Sequence, residues 1–252
     1  VHLKADYELV LNSVLTVNGV TGAAASGSDG ILVTQSLLSA DATSRATLHG
    51  QVGCASDCYG IRLGDCTFSS NAETLRFLIN GTSSAGLGVG MVETVSISRA
   101  RVVGVVQLAA EPSSPNLNMG IRFLTPTTTH RISNSVLEGT VEGQLYGSIG
   151  ISIVGARLTD VVVVAQAVST NDGGDAIALV MENVDLRGVI ANAETTCLNG
   201  QCFGAIIAGA TPLSGTNPIE AEVQGSCTVC IGLNAPCAVF SSFGAGAVLT
   251  LP

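Results

Sequence analysis

A glycine followed by apolar residues returns along this chain at a nearly fixed interval. It reads Gly30-Ile31-Leu32-Val33, Gly60-Ile61-Arg62-Leu63, Gly88-Val89-Gly90-Met91, Gly120-Ile121-Arg122-Phe123 and Gly150-Ile151-Ser152-Ile153. Weaker copies follow at Ala176-Ile177-Ala178-Leu179, Gly204-Ala205-Ile206-Ile207 and Gly232-Leu233. The steps are 30, 28, 32, 30, 26, 28 and 28 residues, an interval that belongs to solenoids, where each repeat is one small unit stacked on the next.

A second phrase keeps step with the first: apolar, variable, small or turn residue, variable, apolar. Examples are Leu48-His49-Gly50-Gln51-Val52, Leu137-Glu138-Gly139-Thr140-Val141, Leu158-Thr159-Asp160-Val161-Val162, Leu186-Arg187-Gly188-Val189-Ile190 and Ile219-Glu220-Ala221-Glu222-Val223. Each repeat is therefore expected to hold at least two short strands separated by turn residues, with no stretch of helical period. Short strands rich in Val, Ile and Thr cannot bury one face alone. Stacked coil upon coil, they pair in parallel and enclose a shared core. The pattern predicts an all-β parallel β-helix of about eight coils of 26–32 residues, a single domain over 1–252. Residues 1–29 form an incomplete N-terminal coil in this reading, marked by Val17-Asn18-Gly19-Val20, and 232–252 form the last coil.

Only 12% of residues are charged and 4% aromatic, with no Trp, as a narrow core of stacked small and branched side chains requires. The apolar share of 46% invites a membrane reading. The longest apolar run, Val161 to Val168, contains Gln166 and falls far short of the ~20 residues of a spanning helix, so no membrane span is expected. Nineteen acidic against ten basic residues give a net charge of −9, with Lys4 the sole lysine and no basic cluster. Nucleic acid is excluded as a partner, because a phosphate backbone would be repelled. Val1 in place of Met reads as the start of a mature or excised segment.

Cys58, Cys202 and Cys230 each stand two residues before a coil glycine, and Cys54, Cys197 and Cys227 lie just upstream of them. The three pairs occupy equivalent turns and read as local disulfides. Cys66 and Cys237 remain, about six coils or roughly 29 Å apart, too far to bridge at about 7 Å between Cα atoms. Either both are free, or the pairing within each cluster differs. Zinc is the rival reading, since Cys54-x3-Cys58 and Cys227-x2-Cys230 have ligand spacing. Oxidised cysteines would place the protein outside the cytoplasm.

The glycine-apolar starts, the phrases Cys58-Tyr59-Gly60-Ile61 and Leu145-Tyr146-Gly147-Ser148-Ile149-Gly150-Ile151, and the paired cysteines resemble the right-handed, pectate-lyase-like β-helix repeat proteins exported by bacteria. The resemblance implies a right-handed solenoid on a cell surface or in an adhesive fibre. That fold serves lyases, hydrolases and adhesins alike, so it implies no single activity.

Among enzymes of this kind, Asn171-Asp172-Gly173-Gly174-Asp175-Ala176 is similar to the first aspartate motif of polygalacturonases. The later paired aspartates and the Gly-His-Gly are absent, and Ser28-Asp29-Gly30 shows the same Asp-Gly turn without a catalytic partner. No catalytic residue is assigned, and no metal or cofactor is expected. His2, His49 and His130 are expected at the surface, His130 in a lateral insert beside Arg131. The inserts 110–116 and 125–130 read as exposed, turn-rich loops of the kind that carry binding on a rigid rod.

Outward positions flanking the second phrase include His49 and Gln51, Glu138 and Thr140, Thr159 and Val161. They make no threonine ladder, which argues against ice binding. Val103, Val105, Val161 and Val189 would form a partly apolar strip suited to lateral self-association, with a homotrimeric fibre as one outcome. Arg99, Arg101, His130 and Arg131 are the candidate ligand-binding residues, because guanidinium groups clasp acidic sugars in a bidentate manner. Arg62, Arg122 and Arg187 supply further outward charge. The expected function is a secreted or surface adhesin or fibre module that recognises a glycan or cell-surface ligand without catalysis. The alternative is a polysaccharide lyase or hydrolase with a diverged site on the same rod.

Overall fold

The computed structural model describes the chain except residues 5–7, 12, 25–26, 55, 108–117, 125–129, 144–146, 171–173, 198–201, 213–218, 230–237, 244–246 and 251–252. Side chains are described up to residue 208, apart from 23 and 24, and beyond it at 222 and 223. The architecture is an all-β parallel solenoid of about six turns, counted over the turns whose sides are all described, in place of the eight expected. Further strands, Cys202–Pro212, Ile219–Val229, Ala238–Phe243 and Ala247–Thr250, extend the same ladders.

Each turn has three flanks, and every ladder between turns is parallel. The glycine-apolar segments form the first flank, where Ile31, Ile61, Val89, Ile121, Ile151, Leu179 and Ala205 lie in one register column. The third flank answers with Val17, Leu48, Ile79, Val102, Leu137, Val163 and Ala191. Most of these side chains are wholly buried, each burial stabilising the fold by about 1.5–3 kcal/mol. Both columns shrink to alanine towards the C-terminus, so the core tapers on both sides together.

The strands are longer than expected because they bend through corners without breaking. Asp29–Ala40, Cys58–Ser70 and Gly86–Ser98 each carry the first flank into the second. At the bend, Gln35, Asp65 and Glu93 adopt left-handed backbone with φ of 50°, 45° and 63°. Gly155 and Asn183 make the same bend at 64° and 52° in later turns. Arg99, Asn134, Asp160 and Gly188 stack at the next bend, between the second and third flanks, with φ from 46° to 59°.

The repeat glycines are not turn residues. Gly19, Gly50, Gly81, Gly104 and Gly139 form a ladder inside the third flank. There the first flank comes close enough for backbones to touch: a Cβ on Gly50 would lie 2.1 Å from the Gly60 carbonyl oxygen, and one on Gly104 2.0 Å from that of Gly120. Further along, Ala165 and Ala193 take the ladder position. This contact splits the interior into a large apolar core and smaller clusters beyond the glycines, such as Ala167, Ala176, Cys197 and Cys202.

Three expectations shift with this geometry. Asp160 and Gly188 are corner residues, whereas Ala165 and Ala193 are the true partners of Gly139. Val161 and Val189 consequently point inward and are buried, while Val162, Val164 and Ile190 point out at 36%, 42% and 46% exposure. On the first flank, Ile151 pairs with Leu179, which makes Ala178 and not Ala176 the glycine equivalent. Ala205 pairs with Ala238 and not with Leu233, so the final repeat is longer than Gly232-Leu233 implied.

Candidate functional site

Two grooves border the corner between the second and third flanks in the first turns. One, of about 480 Å³, lies on the second-flank side and is lined by Val10, Ser39, Ala40, Asp41, Ser69, Ser70 and Asn71. The other, of about 270 Å³, lies on the third-flank side between Arg45, Arg76, Arg101, Leu75 and Leu78.

Asp41 fixes the corner of its turn. Its Oδ1 accepts hydrogen bonds from the Thr43 and Ser44 amides at 2.7 and 2.8 Å and from the Thr43 hydroxyl at 2.8 Å. The Ser44 hydroxyl lies 2.6 Å from both Asp41 Oδ1 and the Leu11 carbonyl, so it donates to one at a time. These donors, Ser44 foremost, hold the Asp41 carboxyl well below the usual carboxylate range. The corner is thereby rigid although exposed, and it delivers Arg45 to the start of the third flank.

Arg45 begins a column. Ala46, Phe77 and Ala100 are in register, so the residues before them, Arg45, Arg76 and Arg99, occupy one corner position in successive turns. Backbone hydrogen bonds tie them: Ala46 N donates to Arg76 O at 3.0 Å and Arg76 N to Arg99 O at 2.7 Å. The Arg99 guanidinium donates to the Glu73 carbonyl at 3.0 Å. Arg101 forks onto Glu138 with bonds of 3.0 and 2.8 Å, which raises its pKa further. Among the described residues, ion pairs engage Arg62, Arg101 and Arg157, and none engages Arg45, Arg76 or Arg99. Arg76 Nε is buried without a partner. Leu75 and Leu78, 41% and 36% exposed, supply the apolar wall.

The candidate residues read from sequence separate on this framework. Arg101 lines the second groove, Arg99 holds the corner position that follows Arg76 in the column, and Arg131 is exposed on the second flank of the following turn. His130 is not at the surface. It opens the strand His130–Gly143, is wholly buried, and meets Phe123 edge to face with ring centroids 5.0 Å apart. Burial pushes its pKa down to about 4, so it is neutral. Arg45 and Arg76 were not anticipated; 31 and 23 residues separate the three corner arginines, and only the register aligns them. Arg62 is occupied by Asp29 and lies 5.0 Å over the Tyr59 ring.

Two carboxylates meet elsewhere. Asp65 and Glu93 are neighbours at the first bend, and the hydrogen bond and charge of Asp65 raise the Glu93 pKa. Both are exposed, and neither lines a groove described above. Of the aspartate motif, Asp172 lies outside the described residues and Asp175 is exposed near the third corner. Cys54–Cys58 and Cys197–Cys202 are disulfides at the third corner, with Cα separations of 6.4 and 6.0 Å. Those four sulfurs are therefore not thiolate ligands for zinc. Cys66 is a buried free thiol; Cys230 and Cys237, and the Cys227 side chain, lie outside the described residues. Among the described residues no three His, Cys, Asp or Glu side chains are grouped to hold a metal, and no helix is long and apolar enough to cross a membrane.

No family model matches this chain, and neither a curated protein nor a solved structure shows significant similarity to it. The resemblance to exported β-helix repeat proteins therefore rests on the parallel β-solenoid architecture.

Proposed function

We propose that this solenoid is a non-catalytic recognition module, a secreted or surface-displayed element that binds a glycan or another cell-surface ligand at the corner between its second and third flanks. The observation that carries the reading is the convergence of two grooves on one rigid corner. Hydroxyl and amide groups of Ser39, Ser69, Ser70 and Asn71 stand on one side and Arg45, Arg76 and Arg101 on the other. A ladder-bonded corner fixes the backbone that carries these groups, which lowers the ordering cost of binding. Paired cysteines at the third corner suit an oxidising compartment. Weak contacts at such a site gain strength when copies are arrayed along a fibre or surface.

Catalysis on polysaccharide requires an acid and a base, or a metal, acting at one point. The neighbouring carboxylates Asp65 and Glu93 stand at a different corner, and neither lines the two grooves described above. An array of neutral, uronate-bearing and sulfated oligosaccharides, assayed in parallel for release of reducing or unsaturated ends, tests the reading. Binding without release is expected. Sustained release that is abolished by Asp65→Asn or Glu93→Gln would replace the module with an enzyme.

A further inference from the structure

We infer that the ligand of this corner is an anionic glycan chain, held by carboxylate or sulfate groups spaced along it; the inference rests on the recognition reading above. Arg45, Arg76 and Arg99 repeat at one position in consecutive turns, which sets about 4.8 Å between successive guanidinium-bearing residues. With Arg101, four of the nine arginines of a chain of net charge −9 gather here. Collecting like charges costs stability unless something answers them; among the described residues no ion pair engages Arg45 or Arg76, and Arg99 is met by the Glu73 carbonyl and by no carboxylate. Arg76 Nε is buried and unpartnered beside the groove, a desolvation cost that a shift of the side chain towards a bound oxyanion would relieve. Guanidinium is planar and forks onto oxyanions in bidentate fashion, and Arg101 already does so with Glu138.

The lining also says what the ligand is not. Neutral sugars are gripped by stacking on exposed aromatic rings, and the aromatic residue in this groove, Phe77, is buried at 2% exposure. Single-stranded nucleic acid needs the same stacking platforms. Duplex DNA carries one charge per about 1.7 Å, far denser than this ladder, and would meet the acidic remainder of the chain. A polymer with roughly one anion per sugar matches a ladder with one guanidinium per turn, while Leu75 and Leu78 cover the apolar faces of the rings.

The test is titration calorimetry of the full chain with four probes: a sulfated oligosaccharide, a uronate oligosaccharide, a neutral oligosaccharide of equal length, and polyphosphate. One of the anionic glycans should bind and weaken roughly tenfold or more between low and high salt. Arg45→Ala/Arg76→Ala should lower that affinity more than tenfold. Arg45→Lys/Arg76→Lys should recover only part of it, since lysine keeps the charge but not the fork, and Arg187→Ala should bind as wild type. Circular dichroism checks that each variant is folded. Neutral glycan bound as tightly as the anionic ones, and unchanged in the double alanine variant, would overturn this inference and leave the recognition reading standing. Polyphosphate bound more tightly than either anionic glycan would overturn the glycan assignment. No binding of any glycan would overturn this inference and, with it, the glycan arm of the recognition reading.

Discussion

Replacing Gly104 with alanine probes the contact that holds the first and third flanks together. The new Cβ would sit 2.0 Å from the Gly120 carbonyl oxygen and 2.6 Å from its carbonyl carbon, where ordinary contact begins near 3.4 Å. Both obstacles are backbone inside parallel ladders, so no side chain can swing away. Separating the flanks by more than an ångström would pull apart Val102, Ile121 and their neighbours in the core. Overpacking of this kind costs about 1–3 kcal/mol, occasionally more, against a gain of about 0.5–1 kcal/mol from removing glycine's backbone freedom. A net loss of about 1–2 kcal/mol should lower the thermal midpoint by about 2–8 °C for a chain of this size. Gly22 supplies the internal control, because a Cβ there meets nothing within 4 Å. Gly22→Ala should melt at or slightly above the wild-type temperature. A Gly104→Ala protein that melts with the Gly22→Ala protein would refute the flank-to-flank contact.

Acid should loosen the second flank through His130. Its folded pKa is about 4 against about 6.5 unfolded, so the unfolded chain binds the extra proton first. The stability it lends is complete above about pH 6.5 and is lost as pH falls towards 4, reaching roughly 3 kcal/mol; in urea melts His130→Leu should show a flatter pH profile, and parallel profiles would count against the burial. Cys66 should resist iodoacetamide at pH 8 in the folded protein and react after denaturation, because burial first, and Asp65 second, push its pKa up to about 12. Rapid labelling in the native state, read by peptide mapping, would contradict its place in the core.

How much of this was legible in sequence depended on what each residue type had to do. The glycine ladder was visible because a backbone contact excludes every side chain, and the same demand recurs in each turn. The left-handed corners were hidden where Gln35, Glu93 and Arg99 occupy them, whereas Asn134, Asp160, Asn183, Gly155 and Gly188 are turn-forming residue types. Mistaking the Asp160 and Gly188 corners for the ladder position slipped the register, and an odd slip in a strand turns every side chain to the opposite face. Val161 and Val189 face the core and not the outer strip for that reason. His130 followed a turn-rich, threonine-rich stretch and read as a loop residue, yet Phe123 from the first flank shelters it. The corner arginines escaped notice because spacings of 31 and 23 residues carry no constant period. Only the insertion of 71–76 at the corner, absent from the following turn, brings them into line.

Hydrogen–deuterium exchange on the full chain, with and without the tightest-binding oligosaccharide of the array, tests the central claim most directly. Protection is expected to rise in peptides covering 39–47, 69–78 and 99–101, which surround the two grooves, and to stay unchanged along the first flank at 148–154. Protection confined to the first flank, or to the bend that carries Asp65 and Glu93, would contradict the assignment of the ligand surface to the arginine corner.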